Sequence, residues 1–502
     1  MIINPVNASL FLSNLILQYF MAVSNRLKNQ HLLWRAGFGP MAENAAALDT
    51  VSSKDLWKLL EKTSAKKPDK IEVAQNLADG LYKGIMDVAK MENPETRKEQ
   101  QKRRREQSRD DLKNLNIRWL DEMINSEAQL REKMSLFWHG HFACRVINSY
   151  FQQELLQIIR ENALGNFKDL LVAVSKSPSM LQFLNNQQNK KKKPNENFAR
   201  EVMELFTMGR GNYTEGDVKE AARAFTGWGY NLSGGFEFRK NQHDTDNKTL
   251  LGQTGNFDGD DVLNILLKQK QTAKFITKKI YKYFVNEKVD DEKIEWLSSR
   301  FYKNDYDIKK LMEDIFTADW FYEEKNIGTK IKSPVELLAG IRRLLPMEME
   351  NDQAQILFQK TLGQILFYPP NVAGWAGGKT WIDSSSLMLR LRMPQILTAN
   401  DVMDIQPKTD DDVQMGMMEA GAKKLKDAVK GGTAKTDWAL VTKIFEQTSR
   451  EKLLQKIIDT VLQTKGHVND TLLQKYLNNE NRENFTKSAI INLMSTPEYQ
   501  LC

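Results

Sequence analysis

Two glutamates on one predicted helix are the first candidates for chemistry. After Pro194 the apolar residues recur at helical spacing, and Asn197, Glu201 and Glu204 form a second stripe along the edge of that apolar face. A carboxylate in this position costs free energy unless it is ion-paired, hydrogen-bonded or bound to a cation. The two carboxylates can therefore converge on one cation or share an acid–base task, with Asn197 as a substrate-binding neighbour. Ion pairing, for example of Glu204 with Arg200, is the structural alternative.

Two histidines flank Gly140 and could complete such a site. His141 continues an apolar helical stripe and is predicted to point inward, either as a core residue or as a metal ligand together with Glu201 and Glu204. On a regular helix, the side chains of His139 and His141 lie about 200° apart and cannot share one ion. They could do so only in a strand or if Gly140 breaks the helix. The predicted ligands are His139, His141, Glu201 and Glu204, which would form a carboxylate–histidine site for a divalent metal of open identity.

A second polar segment contains His243 and Asp244 in a predicted loop. Asp244 and Asp246 begin like a calcium-binding loop, but Lys248 occupies the fifth position and no glycine follows at the sixth. A histidine–carboxylate acid–base pair and a different kind of cation site are both compatible with these residues. The alternative is a surface turn.

Three tryptophans are candidate platforms for a ligand. Trp375 and Trp381 lie in a loop rich in glycine and proline, where an indole ring can stack against a sugar or bury an edge of the fold. Trp228 is the third candidate. The run from Gly377 to Thr380 resembles the end of a phosphate-binding loop, but Ala373 occupies the position of the required first glycine, so nucleotide binding is not predicted.

The composition limits the classes of protein that can carry these residues. The chain has 502 residues, 41% of them hydrophobic, and 72 basic against 65 acidic residues give a net charge of +7. A nucleic-acid partner is not expected at this modest charge, although the basic stretch Arg97–Arg109 is either a solvated helix or a polyanion-binding patch. Two cysteines are too few for a disulfide framework or a cysteine-rich zinc site.

The elements that must position the candidate residues are mostly helices. Helical periodicity dominates and long period-2 alternation is missing, which predicts a mainly α fold. We expect a large multi-helix single unit with a few short strands, around Tyr230–Phe238, and long loops. The predicted organisation is an N-terminal extension over 1–29, a main helical domain over 30–400, a mobile insertion over 401–436, and C-terminal helices over 437–502 that pack on the main domain.

The N-terminal extension decides the expected compartment. Leu10–Val23 is apolar but shorter than the roughly 20 residues of a membrane span, so no transmembrane span is predicted. It has the apolar stretch of a signal peptide without a basic n-region. Export, a buried helix, and a true translation start at Met21 are the three interpretations. A start at Met21 predicts a cytoplasmic protein.

Several ordered motifs resemble one bacterial family, which is catalogued as domain of unknown function 1800. The motifs are His31–Gly39 (HLLWRAGFG), Phe137–Phe142 (FWHGHF), Asn195–Leu205 (NENFAREVMEL), Tyr213–Val218 (YTEGDV), Ala222–Trp228 (ARAFTGW), His243–Gly252 (HDTDNKTLLG), Lys332–Leu337 (KSPVEL) and Pro369–Trp375 (PPNVAGW). The resemblance implies a mainly helical single unit. It also implies a neighbour-encoded partner of the sulfatase-like family catalogued as domain of unknown function 1501. Asp246 stands where the family is expected to favour glycine.

Two functions follow from these residues. The first is a metal-dependent enzyme, hydrolytic or oxidative, that acts on a polysaccharide or cell-surface polymer. Its catalytic set is predicted to be Glu201, Glu204, His141, His243 and Asp244, with His139, Asp217 and Glu220 in support. The second is a non-catalytic scaffold or glycan-binding protein, with the tryptophans as platforms. In that protein the same polar motifs are buried ion-pair networks, and the counter-charges come from Arg35, Arg200 and Arg223.

Overall fold

The computed structural model describes residues 23–74, 94–399, 434–464 and 470–502, together with Gly466 and Val468. Residues 1–22 of the predicted extension, and with them the interpretations of Leu10–Val23, lie outside the described residues. The same is true of the predicted insertion except for its last three residues, Ala434–Thr436, which form a strand.

The described chain is mainly α, which confirms the predicted fold class. Its α-helices are, in chain order, α1 Asn25–Ala36, α2 Ser53–Ser64, α3 Pro94–Asn125, α4 Gln129–His141, α5 Ser149–Asn162, α6 Phe167–Ser175, α7 Pro178–Phe183, α8 Asn197–Glu201, α9 Glu215–Ala224, α10 Gly259–Leu267, α11 Lys270–Phe284, α12 Asp291–Lys303, α13 Ile308–Phe316, α14 Pro334–Leu344, α15 Gln353–Thr361, α16 Ser384–Ala399, α17 Trp438–Lys443, α18 Arg450–Val461, α19 Asp470–Gln474 and α20 Arg482–Met494.

The strands are short and form two-stranded antiparallel pairs. Strands β1 and β2 make a hairpin in the predicted strand region, and β3 and β4 make a second one that contacts α9. Strands β5 and β6 pair residues that are far apart in the chain. The bounds are β1 Trp228–Tyr230, β2 Phe236–Phe238, β3 Lys248–Leu250, β4 Gln253–Gly255, β5 Met347–Met349 and β6 Ala434–Thr436.

Local sequence signals explain where several helices begin. Thr214 and Asp217 form a reciprocal capping box at the start of α9, as their spacing predicts. Ser333 and Glu336 form another at the start of α14, where Pro334 occupies the first helical position. These caps satisfy backbone N–H groups that a helix leaves unpaired at its N-terminus.

Helix α4 is the centre of the molecule, because every one of its residues except Gly140 is buried. Met134 and Trp138 pack into a hydrophobic core with α5, α6 and α11, whereas Leu136 faces a second core built by α3, α14 and the C-terminal helices. The charged residues of α4 are therefore enclosed, and each needs a partner inside the protein.

None of the helices in the described ranges combines the length and the apolar character that a bilayer-spanning segment requires.

Candidate functional site

The two predicted carboxylates lie where α8 changes its geometry. The helix predicted after Pro194 is α-helical only to Glu201 and continues as a π-helical turn over Val202–Thr207. The hydroxyl of Thr207 donates to the carbonyl oxygen of Val202 at 2.7 Å within this turn. Single π-helical turns are frequent at functional sites. Val202 and Phe206 are buried, whereas Glu201 and Glu204 are half-buried.

Glu204 has a partner other than the one its sequence spacing suggests. Arg200 forms ion pairs with Glu196 at 3.0 Å and Glu215 at 2.7 Å, so the alternative of an Arg200–Glu204 pair is wrong. Instead, the hydroxyl of Tyr213 donates a 2.6 Å hydrogen bond to Glu204. Burial and this hydrogen bond raise the pKa of Tyr213, which keeps the phenol a donor. Sequence reasoning missed the role of Tyr213, although it begins the motif Tyr213–Val218.

Glu201 is the less constrained of the two carboxylates. No side chain or backbone group among the described residues makes a hydrogen bond or salt bridge with its oxygens within the usual limits. Burial raises the pKa of Glu201, and the charge of Glu204 raises it further, against the opposing charge of Arg200. A carboxyl group that is half-buried beside a second carboxylate is poised to hold a proton or to bind a cation.

His141 lies on the buried side of the same turn. Its Nε2 is 3.2 Å from the carbonyl oxygen of Phe206, and its ring packs against Phe142 at 4.5 Å and Trp138 at 5.5 Å. Burial and the charge of Lys279 lower the pKa of His141 well below its ordinary value, so the ring is neutral. In the described part of the chain, no three histidine, cysteine, aspartate or glutamate side chains come together in a group that could hold a metal. The structure thus brings His141 near the turn but does not assemble it with Glu201 and Glu204.

His139 has a structural environment. Helix α4 continues through Gly140, so His139 and His141 point to different sides. The Nε2 atom of His139 accepts a 3.1 Å hydrogen bond from the backbone N–H of Phe367, whose φ of 68° lies in the left-handed region. Burial lowers the pKa of His139 to about 3. A neutral histidine here holds a strained backbone position in place.

The predicted pair His243 and Asp244 belongs to an ion-pair network. Arg223 donates to Asp244 at 2.8 Å and to Glu220 at 3.0 Å. The Nδ1 atom of His243 is 2.9 Å from the carbonyl oxygen of Thr226. Burial alone would raise the pKa of Asp244, but the hydrogen bonds from Arg223 and from a backbone N–H lower it. Asp244 is therefore an ionised partner of Arg223.

Lys248 takes the place that a cation would have in a calcium-like loop. Its ammonium group donates to the carbonyl oxygens of Asp244 at 2.6 Å and Asp246 at 2.9 Å. Asp217 accepts a 2.7 Å hydrogen bond from the backbone N–H of Leu251. The hydrogen bond from Leu251 to Asp217 thus connects the β3–β4 hairpin to α9. The ammonium group of Lys248 occupies the centre of the loop, where a calcium-binding loop would hold its ion.

The predicted binding tryptophans differ in their access to solvent. Trp228 is only 3% exposed and packs against Phe225 at 5.1 Å, and Trp381 is 9% exposed. Neither ring has a free face for a sugar. Trp375 is half-buried against His139, with ring centroids 5.7 Å apart. Asn197 is exposed at the start of α8, where its side chain donates to the carbonyl oxygen of Leu184 at 3.3 Å.

A cluster of buried basic residues surrounds Glu336, and sequence reasoning did not predict it as a site. The ammonium groups of Lys133 and Lys330 both lie 2.5 Å from the same carboxylate oxygen of Glu336. Lys332 places its ammonium 3.7 Å from the ring centre of Trp34 and 3.8 Å from that of Tyr499. The signals that could have revealed it are the motifs that begin at His31 and Lys332, which meet here.

A comparison with models of protein families shows to which family the chain is related. The family model described as protein of unknown function (DUF1800) matches residues 31–501, almost the whole chain. The chain belongs to this family. No curated protein and no solved structure matches it significantly. A functional proposal therefore rests on the geometry of this chain.

Proposed function

We propose that this DUF1800 protein hydrolyses a polysaccharide or another cell-surface polymer through Glu201, Glu204 and Tyr213. The observation that carries the proposal is the state of Glu201. It is half-buried at the end of α8, directly before the π-helical turn, its pKa is raised by burial and by Glu204, and none of the described residues donates a hydrogen bond to it. An unneutralised carboxyl group next to a second, oriented carboxylate is the arrangement that acid–base catalysis uses.

The two glutamates have different roles in this proposal. Glu201, with the raised pKa, is the general acid that protonates the leaving oxygen. Glu204 is fixed by the hydroxyl of Tyr213 at 2.6 Å and orients or deprotonates the attacking water. The same carboxylate oxygens are hard ligands of the kind that divalent cations prefer. A bound cation would therefore be held by Glu201 and Glu204, and His141 would not be its ligand.

The surface around the turn favours a polymer over an enclosed small molecule. Asn197 is exposed, and the Arg200–Glu215 pair lies at the surface beside the turn. A half-exposed carboxyl pair with polar neighbours can contact one segment of an extended, hydroxyl-rich chain. Asn197 supplies an amide for hydrogen bonds to that chain.

A non-catalytic scaffold is the second candidate, and a specific observation favours it. His139, His243 and Asp244 all have partners inside the protein, and Trp228 and Trp381 are buried. In such a scaffold, the half-buried Trp375 would be the remaining platform for a glycan. A sulfatase-like partner fits either candidate, because both would act on the same polymer, and the family association alone supports it.

The test is release of reducing ends from a panel of soluble and cell-wall polysaccharides. We expect wild-type activity to fall at least 100-fold in Glu201→Gln and in Glu204→Gln, in line with general acid–base contributions of roughly 10²–10⁴. Glu196→Gln is the matched control, because it makes the same chemical change five residues away. Metal analysis of the same proteins shows whether a cation leaves with either carboxylate. Equal activity in Glu201→Gln and wild type would refute the proposal.

A further inference from the structure

We propose that the basic cluster around Glu336 binds one small oxyanion, inorganic phosphate or sulfate, inside the folded protein. The basic cluster consists of Arg35, Lys133, Lys330, Lys332 and Arg390. Each of these residues is less than 8% exposed, and Glu336 is fully buried. This site is separate from Glu201 and Glu204, and the proposal does not rest on the proposed hydrolase activity.

When all five basic groups are protonated, the cluster carries more positive than negative charge. Every one of its five cations interacts electrostatically with Glu336, so all five lie in one neighbourhood. Glu336 neutralises one of them, Cys502 contributes a second negative group, and Glu287 acts on Arg35. Buried charge that exceeds its counter-charge is unfavourable unless a further anion is present.

Several N–H donors of the cluster have no hydrogen-bond partner among the residues that the structure describes. Arg35 uses Nη2 to donate to Asn326 at 3.0 Å and Thr329 at 3.2 Å, but its Nε and Nη1 have no hydrogen-bond partner among the described residues. Arg390 uses Nη1 to donate to the carbonyl oxygen of Lys332 at 3.0 Å, and its Nε and Nη2 are likewise unpaired within the described ranges. Buried donors are nearly always satisfied in native proteins.

The geometry of these donors selects the class of anion. The Nε and Nη2 atoms of Arg390 form one planar fork of N–H donors, which matches two oxygens of phosphate or sulfate, and the Nε and Nη1 of Arg35 add single donors. The hydroxyl of Tyr499, whose ring covers Lys332, is a further buried group with no partner in the described part of the chain. Because the cluster is enclosed, it suits a small free oxyanion rather than the phosphate of a larger ligand.

The position of the cluster implies an effect on stability. Arg35 belongs to α1, Lys133 to α4 and Arg390 to α16, while Lys330 and Lys332 pair through their backbones with residues 500–502. An anion held here would connect elements from both ends of the described chain. A ligand that binds only the native state raises its stability by mass action.

The test starts with the full-length protein as purified. The protein is desalted into Tris–chloride and denatured, and released phosphate and sulfate are measured by ion chromatography. We expect about one equivalent of one oxyanion per chain. After refolding in chloride, we expect the thermal midpoint to rise saturably on addition of phosphate or sulfate, compared with chloride at equal ionic strength.

The Arg390→Lys variant keeps the positive charge but replaces the two parallel N–H donors of the guanidinium group with an ammonium group. We expect at least tenfold weaker binding of the added oxyanion. Lys274→Met is the control, because Lys274 is an exposed residue paired with Glu295. Release of less than a tenth of an equivalent, together with equal thermal midpoints in phosphate, sulfate and chloride, would overturn the proposal. Wild-type binding in the Arg390→Lys variant would also overturn the assignment of the site. Both readouts use the wild-type protein first, so a variant that fails to fold does not prevent the test.

Discussion

The hydroxyl of Tyr213 donates a 2.6 Å hydrogen bond to Glu204, one turn beyond Glu201, which has no hydrogen-bond partner among the described residues. This relationship separates two otherwise similar carboxyl groups. One is oriented by a phenol, while the other has its pKa raised by burial and by its neighbour. Residues that are placed to react often weaken the fold that carries them.

Glu201→Gln should therefore stabilise the protein at neutral pH. A raised pKa in the folded state means that Glu201 contributes stability only below its unfolded pKa, and that this contribution is lost as the pH rises through the folded value. Relief of a like-charge pair on a helix is worth about 0.2–0.5 kcal/mol. Urea unfolding at pH 7 should show this gain, and it should vanish near pH 4. A destabilised variant at pH 7 would contradict the prediction.

Asp244→Asn should destabilise the protein without a direct effect on the proposed hydrolysis. The Asp244 side chain is 10% exposed and accepts from Arg223 at 2.8 Å, so the change removes one of the two carboxylates, Asp244 and Glu220, that pair with this guanidinium. We expect a loss of about 2 kcal/mol in the free energy of unfolding at pH 7. The pKa of Asp244 is lowered, so this stabilisation exists above its unfolded pKa and disappears as the pH falls through the folded value. Asp246→Asn, at an exposed neighbour, should change the free energy of unfolding little.

Two glycines in the loop that contains Trp375 and Trp381 provide a matched test of whether this loop packs on α4. Gly374 and Gly377 have φ values of 78° and 77°, but only a Cβ at Gly374 would collide with the carbonyl oxygen of Gly140. Both alanine variants should lose about 1 kcal/mol from the left-handed backbone conformation. Gly374→Ala should lose about 1–3 kcal/mol more through the collision. Equal thermal midpoints for the two variants would show that the loop does not pack on α4.

In protein freed of bound oxyanion, Lys332 should make the free energy of unfolding depend on pH in the alkaline range. Burial lowers its pKa to about 7, with Lys133 and Arg390 acting in the same direction and Cys502 and Glu336 opposing them. The unfolded chain therefore binds more protons than the folded one between about pH 7 and pH 10, and stability should rise with pH in this window. Relative to Lys332→Met, the free energy of unfolding of wild type should increase by at most about 1.4 kcal/mol per pH unit. Lys282→Met, at an exposed lysine, should leave that pH dependence unchanged.

Much of the fold can be predicted from local signals. The period of apolar residues and the proline at its start predict α14 over Pro334–Leu344, and Thr214 with Asp217 predicts the start of α9. The capping groups lie within a few residues of one another, so the sequence displays them directly. The mainly α class and the family relationship follow from the same kind of evidence, and both are confirmed.

The partners of the polar residues could not be predicted in the same way. Lys133 meets Glu336, and His139 meets the backbone of Phe367, across more than 200 positions of the chain. The hydrogen bond of Tyr213 depends on a π-helical turn, whose residues have no distinct spacing in the sequence. Helical periodicity places a side chain on a face but does not say which distant element covers that face.

The most direct test of the proposed function is the pH dependence of polysaccharide hydrolysis in wild type and Glu204→Gln. If Glu201 is the general acid, wild-type activity falls as the pH rises through its raised pKa. Glu204→Gln removes the neighbouring charge, so the residual activity should fall at a lower pH. The residual activity of Glu201→Gln should not fall with rising pH in this range. If no polymer is hydrolysed, or if activity falls at the same pH in wild type and both variants, Glu201 is not the general acid.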